Sequence, residues 1–92
     1  SAVPEPIEPL TERGEEAQIR EVAARALVEA FVRHVGEARG AASNALMVVD
    51  APQTPALIAE ARKSAAPEVQ KALDGLAARF ARNPTRIDVG GR

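Results

Sequence analysis

Residues 67–83 read PEVQKALDGLAARFARN, and the spacing of the apolar residues in this stretch decides the fold class. Val69, Ala72, Leu73, Leu76, Ala77 and Phe80 fall at i, i+3, i+4, i+7, i+8 and i+11. That places them along one side of a helix, with Lys71, Asp74, Arg79 and Arg82 turned away. Pro67 suits the first helical position because its missing N–H would have no partner there. Arg79 and Arg82 suit the negative C-terminal end, and Asn83 before Pro84 stops the helix.

Upstream, Thr54 followed by Pro55 has the form of an N-cap with proline at the first helical position, which predicts a helix to about Ala65. Leu57, Ile58 and Ala61 form its apolar face. From Glu15 to about Val35 a longer helical pattern runs, opened by Thr11 and the acids Glu12, Glu15 and Glu16, with Gly14 blurring the first turn. Glu16/Arg20, Glu21/Arg25 and Glu29/Arg33 are i,i+4 pairs with the acid N-terminal, each contributing a few tenths of a kcal/mol.

The apolar side of this helix turns partway along. Ile19, Val22, Ala23, Ala26 and Ala30 share one stripe, while Leu27, Val28, Phe31, Val32 and Val35 centre on another direction. A helix in a two-layer monomer needs one stripe. The second predicts either a central helix covered on several sides or self-association through this helix. Gly36 and Gly40 are expected to mark a turn or kink. The run Ala45–Val49 fits a helix better than a strand, since no partner strand is evident.

The ends read differently. Pro4, Pro6 and Pro9 predict an extended arm, and Ile87 and Val89 alternate with polar residues in a short tail. The expected architecture is therefore all-α: a small bundle of three to four helices over 15–83, with an extended Pro-rich N-terminal arm over 1–14 and a short C-terminal tail over 84–92. The arm's prolines and acids offer few side chains to a core, so it is expected to be dispensable for folding.

Composition narrows the function classes. Of 92 residues, 46% are apolar, but 20 are alanine, so 22 large apolar side chains remain for a core that a chain this short buries incompletely. The longest uncharged stretch, Gly40–Val49, is ten residues, well short of the roughly 18 to 20 a membrane span requires. With no cysteine there is no disulfide, thiolate nucleophile or sulfur-ligated zinc. Ten Arg against two Lys, with the alanine excess, suggests a GC-rich coding sequence, and a bacterial, soluble, cytoplasmic protein is the favoured expectation. Residues 1–37 carry eight Glu and four Arg, a net −4, while 38–92 carry eight basic and five acidic residues, a net +3. The two halves can attract each other, within one fold or between copies.

Candidate chemistry is sparse. His34 is the only histidine, with Glu37 one turn on. It lacks a second His or Cys, so it reads as a histidine at the edge of an apolar face and not as a base or ligand. There is no G-x-S-x-G, phosphate-binding glycine loop or H-E-x-x-H. The chain is thus expected to be non-catalytic, without cofactor or metal, and to act as a protein–protein interaction or homo-oligomerisation module. Leu27, Phe31, Val35, Val69, Leu73, Leu76 and Phe80 are the expected interface. The alternative is a helix-turn-helix-like nucleic-acid-binding domain over residues 58–89, with Arg86–Val89 as a wing strand and Lys63, Lys71, Arg79, Arg82 and Arg86 on phosphates. Against it, Arg62, Lys63 and Ser64 stand where that motif's turn has an apolar residue, glycine and a second apolar residue.

Overall fold

The computed structural model describes residues 12–83, and within them the chain is an all-α bundle: α1 Glu12–Arg33, α2 Gly36–Val49, α3 Thr54–Lys63 and α4 Pro67–Ala81. No strand occurs among the described residues. Residues 1–11 of the expected arm and the tail from Pro84, including the wing stretch Arg86–Val89, lie outside them. α1 is the hub, packing most extensively against α2 and also against α3, while α4 closes the bundle on α3 and α2. One core joins all four helices: Ala24, Val28 and Phe31 from α1, Ala42, Leu46 and Met47 from α2, Ile58 from α3, and Leu73, Leu76 and Phe80 from α4.

Each joint has its own chemistry. α1 opens at Glu12 rather than Glu15, so the helix begins inside the stretch expected to be arm, and Gly14 lies within it. A single glycine costs only about 1 kcal/mol in a helix, and Glu15 and Glu16 favour the positive helix end. Of the three expected ion pairs, Glu21–Arg25 closes, at 3.1 Å. At the C-terminal end the His34 N–H donates to the Ala30 carbonyl at 3.0 Å. Val35 is extended and Gly36 adopts φ +61°, a conformation that glycine enters without steric cost.

The corner is then locked by Arg39, which the sequence pattern does not single out. Its Nε donates to the Phe31 carbonyl at 2.9 Å, and its guanidinium lies 5.0 Å from the centre of the Phe31 ring. One side chain thus satisfies an orphan carbonyl at the end of α1 and adds a cation–π contact.

Gly36 is the turn, but Gly40 is not: α2 runs through it without interruption to Val49. The burial of Ala42, Leu46 and Met47 outweighs the glycine's poor helix propensity. Asp50 ends α2 in the left-handed conformation, φ 48° and ψ 46°, with its N–H donated to the Leu46 carbonyl at 2.9 Å. Aspartate tolerates this region better than most residues. Thr54 begins α3 as expected, yet its hydroxyl does not cap the helix. Fully buried, it donates backwards to the Ala51 carbonyl at 2.7 Å and so closes the turn that reverses the chain.

α3 and α4 are tied on the outside by Arg62, whose Nε and Nη2 donate to the two Asp74 carboxylate oxygens at 2.7 and 3.2 Å. The hydrogen bond from Arg62 holds the Asp74 carboxyl below its usual range. At the far end Asn83 is buried, and its Nδ2 donates to the Met47 carbonyl at 2.8 Å. This amide fastens the end of α4 to the last turn of α2.

Candidate interaction surface

The residues expected to form an interface divide sharply. Phe31, Leu73, Leu76 and Phe80 are between 0% and 5% exposed and belong to the chain's own core. Leu27 and Val69 are half-buried against that core. Val35 is 74% exposed, in the joint after α1. The α4 stripe that reads most clearly in the sequence is therefore occupied within the chain itself, by α2 and α3.

The basic residues considered for phosphate contact are dispersed. Lys63 pairs with Glu60 at 3.3 Å, and Arg79 Nη1 donates to the buried Ser43 hydroxyl at 2.6 Å. Lys71 and Arg82 are exposed on α4 and at its end, and Arg86 lies outside the described residues. His34 and Glu37 are exposed at the corner between α1 and α2. Among the described residues, no group of three or more His, Cys, Asp or Glu is placed to hold a metal ion. No described helix is long and apolar enough to cross a membrane.

The outer face of α1 is the surface with a distinct character. Ile19 and Val22 are 66% and 67% exposed. They belong to the first of the helix's two apolar stripes, whereas Val28 and Phe31 of the second are the ones that face the core. Stepping by four and three residues along the outer face gives Glu15, Ile19, Val22, Ala26, Glu29 and Arg33, all of them exposed. These steps describe the seam along which one helix meets another. Glu15 occupies its beginning, apolar residues its middle, and Glu29 followed by Arg33 its end. The signal for this face is present in the sequence as the first of the two apolar directions; which direction faces inward is fixed only by where α2 and α3 pack.

Compared with known proteins, the chain matches no family model, no curated protein and no solved structure.

Proposed function

We propose that the chain is a non-catalytic protein–protein interaction or homo-oligomerisation module, and that it works through the outer face of α1. The observation that carries this reading is the pair Ile19 and Val22, two-thirds exposed and adjacent on a helix whose other side carries the buried Ala24, Val28 and Phe31. A contiguous apolar strip rimmed by charge marks a contact surface far better than isolated apolar residues do. Covering it removes apolar area from water, while the charges at its two ends set direction and partner choice.

The nucleic-acid alternative draws its support from the α3–turn–α4 shape. It is the weaker reading because Lys63 and Arg79 are already engaged within the chain.

A photo-crosslinking side chain placed at Val22, and separately at the exposed Ala78 on the outer side of α4, tests the proposal in the protein's own cell. Adducts to another polypeptide are expected from position 22 and not from position 78. Equal yields at the two positions, or none at either, would overturn it.

A further inference from the structure

The reading above leaves the partner open, and the arrangement of charge along α1 selects one. We infer that the outer face of α1 pairs with the same face of a second copy, antiparallel, so that Glu15 of each chain lies opposite Arg33 of the other. This inference rests on the proposed function and names the occupant of that surface.

The seam positions are Glu15, Ile19, Val22, Ala26, Glu29 and Arg33. In an antiparallel pair, each position reached by a four-residue step faces one reached by a three-residue step on the other helix. One register sets Val22 against Ala26, Ile19 against Glu29, and Glu15 against Arg33. Two-fold symmetry repeats each of these contacts, so a single self-complementary face supplies two Glu15–Arg33 pairs. The Glu29 methylenes cover Ile19 while its carboxylate reaches water. A parallel pair would instead set Glu15 on Glu15, Glu29 on Glu29 and Arg33 on Arg33, three like-charge contacts, with the helix dipoles also aligned unfavourably.

The apolar middle of this face is open in the described fold, while Glu29 and Arg33 at its far end border a cleft shared with Ala61 and Ser64 of α3. α2 and α3 occupy the side of α1 that carries Ala24, Val28 and Phe31. Gln18 and Arg25, which flank the seam, are exposed. The apolar part of the seam is only Ile19, Val22 and Ala26, less than the roughly 800 Å² per partner of a standard interface. The association is therefore weak, and its register depends on the charges at its ends.

Sedimentation equilibrium of the whole chain from about 10 μM to about 1 mM should show a monomer passing into a dimer, more weakly at high salt. Val22→Glu should abolish the dimer and leave the circular dichroism of the helices unchanged, because Val22 faces water in the monomer. Glu15→Arg and Arg33→Glu should each weaken dimerisation about tenfold. An equimolar mixture of these two variants should restore it, since both contacts between positions 15 and 33 then join an arginine to a glutamate again. A chain that stays monomeric throughout overturns the inference while leaving the interaction reading intact if position 22 still crosslinks to other proteins. An adduct from position 22 to residues 1–11 of its own chain also overturns it, by making the N-terminal segment the occupant. Charge variants without effect would reject this register in favour of one slipped by a heptad, with Ile19 against Val22.

Discussion

α4 and α1 both carry apolar residues at helical spacing, but the two helices dispose of them in opposite ways. In α4 the whole stripe is taken up by neighbours, with Leu73, Leu76 and Phe80 buried and Val69, Ala72 and Ala77 packed against them. In α1, Ala24, Val28 and Phe31 are buried, while Ile19 and Val22 stay in water on the other side. The contrast shows that a clean single stripe in a small bundle belongs to the core. A helix with two apolar directions has one left over after folding.

The largest effect expected from this contrast comes from truncating one side chain of each kind. Leu73→Ala should cost about 2–5 kcal/mol, enough to leave much of so small a domain unfolded. Ile19→Ala should change stability by no more than about 0.5 kcal/mol. Urea unfolding followed by circular dichroism measures both, and similar costs for the two would break the distinction between core and exposed face.

A smaller effect is expected at the polar tie that brings α4 onto α2. Asn83→Ala leaves the Met47 carbonyl without that donor and should cost about 1–3 kcal/mol. A loss near zero would mean that the packing of Leu76 and Phe80 alone holds α4 in place.

The smallest effect concerns the two glycines of α2 and has opposite signs. A side chain added at Gly40 meets nothing within 4 Å, so Gly40→Ala should stabilise by about 0.5–1 kcal/mol. Gly36, at φ +61°, should lose about 1 kcal/mol on replacement by alanine. Thermal melts of the two variants would then move in opposite directions.

Much of this fold is legible in the sequence for local reasons. The starts of α3 and α4 are read from Thr54–Pro55 and Pro67, because proline's missing donor and fixed φ act within one turn of where it stands. The continuity of α2 through Gly40 is not legible, since it depends on Leu46 and Met47 finding a core. Arg39 and Asn83 are missed for the same reason: their partners, Phe31 and Met47, are brought near only by the fold. The candidate surface is half legible. Its residues stand out as an apolar stripe, but the interface expected from the sequence draws on Phe31 and the α4 residues that the fold takes for itself.

The Asn83 tie also has a kinetic meaning. The Arg39–Phe31 clasp joins residues eight apart, whereas Asn83 and Met47 are 36 apart. Contacts between near neighbours close at small entropic cost, so the long loop held by Asn83 is expected to close after the hairpin of α1 and α2 has formed. An interaction made after the rate-limiting barrier leaves the folding rate alone and slows escape from the native state. The amide of Asn83 is then a latch on lifetime: its removal would leave refolding as fast as before and shorten the time each molecule stays folded.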